Sequence, residues 1–338
     1  MNTKTTTITA AAAATLLVLG LGGSAAAAPT KVGTSVPAAV SVSAKRIACN
    51  HPFRSSAFSN TSVGSGAIFG SATDRRNVAL QKHSANINRD SWSIPVYRAT
   101  ASDPTVTVSI NANWRQSMRV PSGATTTTGT DGHMTIVQPD GKTAYELWGL
   151  KRTSTTTMSA GYLVTTDITG TGTKAGTRAA GVSQLHGLIR AHEVASLNIP
   201  HSIAMAIDND QLKSVNGGTG VWPAHDEDGN SASTYAGAIP MGTMFALPGS
   251  VKIDSLGLSP EGKALARALQ NYGAHVLDRS GGVAIYAEPK SNATAVARMK
   301  ADWGKLKNML RVVTNNTETN VAGGGTRRVA PLPEVSAG

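Results

Sequence analysis

From about residue 50 to about residue 250 the chain is punctuated at short intervals. Runs rich in Val, Ile, Thr and Tyr are separated by clusters of Gly, Pro, Asn and Asp. Each cluster ends a helix or turns a strand, so long helices have no room there. The pattern predicts a mainly β fold, a jelly-roll-like antiparallel β-sandwich. Strands are expected over 93–99, 105–111, 133–138, 143–148, 159–167, 201–208 and 243–247. No repeat of fixed length runs through them.

Helices are expected late. Ser259-Pro260-Glu261 opens one, since serine accepts from first-turn amides and proline loses nothing at the first helical position. Ala264, Leu265, Ala268, Leu269 and Tyr272 then recur at helical spacing, and Gly273 stops it. A second is predicted over 292–310, with Val296, Met299, Trp303, Leu306 and Leu310 in one stripe. A shorter one is predicted over 188–197. The stripes read as packing faces against the sheet.

The N-terminus carries Lys4, an apolar run over 10–20 and the small residues Gly23-Ser24-Ala25-Ala26-Ala27-Ala28. This is the pattern of a cleaved signal peptide, and the run is shorter than the ~20 residues that span a bilayer. The expected organisation is a signal peptide over 1–28, a disordered spacer over 29–49, a single β-sandwich domain with C-terminal helices over 50–314 and a flexible tail over 315–338. The protein is then secreted and extracellular, and the lone Cys49 excludes an intramolecular disulfide framework. A buried structural thiol is expected there.

The formal charge is +11, and only Lys4 leaves with the signal peptide. Such a surface attracts acidic polymers, although scattered basic residues serve solubility equally well. Sparse aromatics (4% of the chain) and the lack of zinc-ligand spacing speak against nucleic acid.

The most informative stretch is 133–148, His-Met-Thr-Ile-Val-Gln-Pro-Asp-Gly-Lys-Thr-Ala-Tyr-Glu-Leu-Trp. Asp140-Gly141 suits a two-residue hairpin turn, because both residues tolerate positive φ. That turn pairs Ile136 with Tyr145, Thr135 with Glu146 and His133 with Trp148. Met134, Ile136, Tyr145 and Leu147 then share a core face, and His133, Thr135, Glu146 and Trp148 share the other. An acid, an imidazole and an indole on one face suit a sugar cleft, with Asp131 as a second carboxyl at the edge. The plain alternative is the wet side of an antiparallel sheet.

Arg190, His192, Glu193 and His201 form a second cluster. Arg190 and Glu193 stand at i, i+3, a spacing that usually makes a surface pair. Glu193 and His201 flank a tight connection and can meet as acid and base or as two metal ligands. In Trp222-Pro-Ala-His-Asp-Glu-Asp-Gly229, the alternation and closing glutamate of a calcium loop are missing. Trp222 and His225 there can line a cleft wall. Zinc-protease, nucleophile-elbow, dinucleotide and P-loop fingerprints are absent.

Gly187-Leu-Ile-Arg with Glu193 and Ile199-Pro-His201, then Ala238-Ile-Pro-Met-Gly-Thr243 and Leu256-Gly-Leu-Ser-Pro-Glu-Gly262, resemble a recurrent type of secreted bacterial protein, especially from actinobacteria. The resemblance spans roughly residues 90–290. It implies a secreted sandwich domain and assigns no catalytic residue.

The expected function is cleavage of an extracellular polysaccharide. A glycoside hydrolase would use Glu146 with Asp131 or Glu193 as acid and base. A lyase on an acidic polymer would use His133 or His201 as base and Arg190 to neutralise the uronate. Trp148, Trp222 and His225 would contact substrate. No metal or cofactor is called for. The expected partner is a polysaccharide, with no nucleic acid and no membrane, and the protein is expected as a monomer. The rival is a non-catalytic carbohydrate- or cell-wall-binding protein, which keeps the tryptophans and needs no acid.

Overall fold

The computed structural model describes residues 45–216 and 220–338. The expected signal peptide and most of the spacer lie outside the described residues. Strand outweighs helix among the described residues. The largest sheet, here the central sheet, has six strands in the order Arg311–Val312, Met244–Ala246, Ala274–Arg279, Ile203–Ile207, Val283–Tyr286 and Ala85–Asn88. A second, the hairpin sheet, runs Tyr162–Asp167, Thr143–Trp148, Met134–Val137 and Val96–Arg98. A third, the outer sheet, runs Arg115–Arg119, Thr105–Ser109, Thr157–Ser159 and Lys151–Arg152.

Helices α1 (Arg75–Gln81), α2 (Ala191–Ser196), α3 (Ser231–Thr234), α4 (Pro260–Asn271) and α5 (Ala293–Met309) complete the fold. The two C-terminal helices lie where their sequence signals put them. Ser259 Oγ accepts from Gly262 N, Asn292 Oδ1 accepts from Ala295 N, and the stripe Val296, Met299, Trp303 and Leu306 is buried. Trp303 Nε1 donates to Val283 O at 3.2 Å, which seats α5 on the central sheet. The helix expected over 188–197 shrinks to α2, because residues 181–190 are spent on an irregular, wholly buried segment.

The antiparallel pairing expected throughout is corrected at four places. Ile203–Ile207 runs parallel to Ala274–Arg279, Val283–Tyr286 to Ala85–Asn88, Val96–Arg98 to Met134–Val137, and Thr105–Ser109 to Thr157–Ser159. Alternation reports which face a residue takes but not which strand it joins. Parallel neighbours need long crossovers, and the segment between Ile207 and Ala274, which carries α3 and α4, is one.

The hairpin sheet is buried on both faces. Met134, Ile136, Leu147 and Leu163 share one cluster with Val106, Val108, Met118 and Met158 of the outer sheet. Val96, Val137 and Ala144, on the opposite face, belong to the main core built on the central sheet and its helices. Two further expectations are corrected. Arg46–Ile47, within the expected spacer, pairs in parallel with Val335–Ser336 of the expected flexible tail. Arg46 also holds the carbonyls of Pro333, His51 and Phe53, and Asn316 and Ala322 are buried. Composition marks such segments as lacking periodicity, but arginine-to-carbonyl bonds order a chain without it. Cys49 is buried and unpaired.

Lys307 closes one end of this architecture. Its Nζ, 3% of the residue being exposed, donates to the carbonyls of Leu80, Gln81 and His83 at 3.1, 3.1 and 2.8 Å, where α1 ends. Helix C-termini leave carbonyls without partners, and this ammonium supplies them. Lys307→Met is expected to lower stability by about 2 kcal/mol, read as a shifted urea midpoint at unchanged m-value.

Candidate functional site

The hairpin forms in the expected register, with Thr135 opposite Glu146 and Ile136 opposite Tyr145, but the expected two-residue turn is corrected: Gly141 N donates to Gln138 O, so Pro139-Asp140 take the turn centre and only Gly141 has a positive φ. What covers its polar face is the buried segment 177–190. Glu146 is 0% exposed. Its Oε1 accepts from Thr166 Oγ1 at 2.8 Å and from Ser183 Oγ, and its Oε2 accepts from Gln184 N at 2.8 Å. Gln184 Nε2 donates in turn to Met134 O and Thr135 Oγ1, both at 2.8 Å. Burial pushes the Glu146 carboxyl up and these bonds pull it back. The side chain is thus a tie between layers, enclosed on all sides. Trp148, two residues on, emerges into solvent, and the expected acid–indole pairing is broken by where the cover ends.

The second cluster does assemble, as a buried clasp. Glu193 Oε2 accepts from Arg190 N at 2.8 Å and from His201 Nε2 at 3.0 Å, and His201 Nδ1 donates to Ser202 O at 2.8 Å. Both imidazole nitrogens face acceptors, so the ring is held as imidazolium. Burial opposes that charge, yet Glu193 outweighs it and raises the His201 pKa; burial equally opposes the Glu193 charge, and His201 outweighs it and lowers the carboxyl. Arg190 Nε meets Glu288 at 3.2 Å and its Nη1 donates to Cys49 O at 2.9 Å. The cavity beside the clasp measures about 10 Å³, space for about one water and none for a sugar. Trp222 is half-buried, edge-on to Phe58 at 5.9 Å, while His225 is exposed on its loop.

Broader cavities lie elsewhere, among them one of about 610 Å³ beside α1, lined by Asp74, Arg75, Arg76 and Lys213. A groove of about 600 Å³ runs over the central sheet at the edge strand Ala85–Asn88. Period-2 pairing puts Asn86 beside Ala284 and Asn88 beside Tyr286. Trp92, Asp131, Arg279 and Lys300 complete the wall, and the close turn Ser280-Gly281-Gly282 forms one end. Trp92, 46% exposed at φ 52°, stands at the lip. Gly129 lies against its indole, where a Cβ would fall 2.6 Å from Nε1. Asn86 Nδ2 donates to Asn88 Oδ1 at 2.8 Å, which orients the Asn88 amide.

Beneath this floor lies a dense charge network. The Arg178 guanidinium, fully buried, sits 4.0 Å above the Tyr286 ring centroid, and its Nη1 meets Asp278 at 3.2 Å. Among the described residues its Nε and Nη2 have no partner, nor does the buried His133 Nδ1. Burial, joined by the Arg178 charge, brings the His133 pKa down to about 4, so the imidazole is neutral at pH 7. Burial and then the Asp278 charge push the Tyr286 phenol upward, and burial also raises Asp278 against the pull of Arg178. Arg178 and His133 so account for three of the buried side-chain polar atoms that have no partner among the described residues.

Of the expected site residues, the structure therefore brings Asp131 into the groove wall and His133 under it. Glu146, Glu193, His201 and Arg190 are enclosed elsewhere. Sequence reasoning missed Asn86, Asn88, Trp92, Arg178, Arg279, Tyr286 and Lys300. The one available signal was Asn86-x-Asn88, two amides on one face of a short strand. Among the described residues, His83, Asp208 and Asp210 offer ligand atoms within 4.8 Å of one another, and His83 Nε2 already pairs with Asp210 at 2.6 Å. Searches against protein-family models, curated proteins and solved structures found no match to this chain.

Two predictions follow from these enclosed groups. Glu146→Ala strands the Ser183, Thr166 and Gln184 donors and is expected to cost about 3 kcal/mol in chemical denaturation, with Glu146→Gln costing about half. His51 and His133 are held near a pKa of about 4, and His186 and His275 near about 3, in each case chiefly by burial. Below pH ~6.5 the unfolded chain binds these protons and the folded chain does not, so stability falls with pH until about 4. Each histidine contributes up to about 1.4 kcal/mol per pH unit, partly offset by the raised carboxyls of Glu146 and Asp278. Urea midpoints at pH 7 and pH 5 read the difference, and a midpoint higher at pH 5 contradicts the assignment.

Proposed function

We propose that this protein is a secreted enzyme that cleaves an acidic extracellular polysaccharide by β-elimination in the groove over Asn86, Asn88 and Tyr286. In this reading the two four-stranded sheets that share a core are its sandwich body. The observation that carries the proposal is a phenol in the groove wall backed by a buried guanidinium with two free nitrogens. Hydrolysis by paired carboxyls calls for two of them about 5 to 9.5 Å apart, whereas the groove wall holds one, Asp131. Elimination needs only one base, one acid and a means of neutralising the uronate.

The parts divide as follows. Arg279, Lys300 and the Asn88 amide receive the uronate carboxylate, which draws electrons from C5 as its charge is balanced. Asp131, on the wall, takes the C5 proton. The electron pair forms the C4–C5 double bond as the C4–O4 bond breaks, and Tyr286 gives its proton to the departing oxygen. A raised phenol pKa keeps Tyr286 protonated at pH 7, as an acid requires. Arg178 under the ring stabilises the phenolate left behind. His133, neutral and two residues beyond Asp131, holds that end of the site free of a second positive charge.

The test is incubation of the mature protein with neutral and acidic polysaccharides, following reducing ends and absorbance of unsaturated uronates. Both signals are expected on an acidic polymer. Tyr286→Phe is expected to lower kcat at least 100-fold with an unchanged thermal midpoint. New reducing ends without the absorbance would mean hydrolysis, and turnover by Tyr286→Phe at the wild-type rate removes the phenol from the chemistry.

A further inference from the structure

We infer that the protein carries a second polysaccharide-binding surface, separate from the groove, formed by Trp148 and Tyr162 with Lys151 and Arg152 beside them, and that its ligand is an anionic polysaccharide. The inference rests on the reading above for the class of ligand, but not on catalysis.

Trp148 and Tyr162 stand directly opposite each other on neighbouring antiparallel strands of the hairpin sheet. Cross-strand partners hold their Cβ atoms about 4.5–5.5 Å apart, so indole and phenol emerge as neighbours on one sheet face. They are 45% and 46% exposed, on the sheet face that elsewhere buries Glu146. Gly161 lies against the indole, where a Cβ would come within 2.9 Å of Cε3 and Cζ3. A larger residue would lift the ring, and glycine lets it rest on the backbone of the adjoining turn.

Isolated exposed aromatics need no explanation, but a paired set rimmed by polar groups marks a binding surface. Here the rim is cationic. Lys151 and Arg152 follow Trp148 by three and four residues, and both are exposed. Lys151 pairs with Ser159 in the outer sheet, so the two cations stand on a strand adjoining the residues that lead into Tyr162. The Trp114 turn, with Trp114 42% exposed, emerges from that sheet next to Ser109, the partner of Ser159. Aromatic rings stack on the apolar faces of pyranose rings, and cations meet carboxylates or sulfates on the same chain. None of these residues lines the groove.

Affinity electrophoresis of the full mature chain through native gels containing alginate, polygalacturonate or hyaluronan, with hydroxyethylcellulose as a neutral polymer, tests this. Wild-type protein is expected to be retarded by at least one acidic polymer and not by the neutral one. Trp148→Ala and Tyr162→Ala are each expected to weaken retardation about tenfold, Trp148→Phe to retain most of it, and Lys151→Ala/Arg152→Ala to remove its salt dependence. Tyr286→Phe is expected to be retarded like wild type. Retardation sensitive to Trp148 without any cleavage would sink the enzymatic reading and leave the surface standing. Wild-type mobility unaffected by every polymer, equal retardation by the neutral one, or Trp148→Ala behaving as wild type would overturn the inference.

Discussion

Glu146 holds the layers of this molecule in register. Its two oxygens take Thr166 and Ser183 hydroxyls and the Gln184 amide, so one carboxylate joins the hairpin sheet to the irregular segment 177–190. That segment would otherwise be a liability, since a buried loop must find a partner for every backbone group. Against the central sheet, Ala180 N reaches Leu277 O, Ile189 N reaches Tyr286 O, and Gly187 O receives Ala204 N. Gly187, at φ 68°, permits the close approach to the Ala204 backbone.

The position of Arg178 follows from that wedge. Held between layers, its guanidinium is stripped of water and rests on Tyr286, with Asp278 as its only ion-pair partner among the described residues. Taking a cation out of water is costly, and a fully satisfied pairing would return most of that cost. Here two nitrogens have no partner among the described residues, so part of that cost is not returned. The same low-dielectric surroundings keep His133 neutral and Tyr286 protonated. The clasp of Glu193, His201 and Arg190 shows a different outcome, an ion pair made within the cluster, with Glu193 Oε1 left without a partner among the described residues and a cavity of only about 10 Å³ beside it.

Local signals carried far. The place and register of the hairpin at 138–143, the Ser259 and Asn292 caps and the buried stripe of α5 were all legible, because each depends on residues within a few positions of one another. The meeting of Glu193 with His201 was legible for the same reason. Missing were the strands Ala85–Asn88, Arg115–Arg119, Ala274–Arg279 and Val283–Tyr286, with weak or polar alternation, and the parallel pairings that join some of them. The groove depended on those strands, so Asn88 and Tyr286, distant in the chain and adjacent in register, could not be brought together from spacing.

By itself, then, the sequence determined the strand-rich character, the hairpin and its two faces, and the C-terminal helices, since turn chemistry, capping and periodicity act over a few residues. Only the tertiary structure decided what covers each face. The same parity that grouped Glu146 with Trp148 could not tell that segment 177–190 seals one and leaves the other in solvent. Burial depends on chain brought in from tens of residues away, and burial sets whether a carboxyl ties layers together, a guanidinium is stripped of water, or an indole faces it.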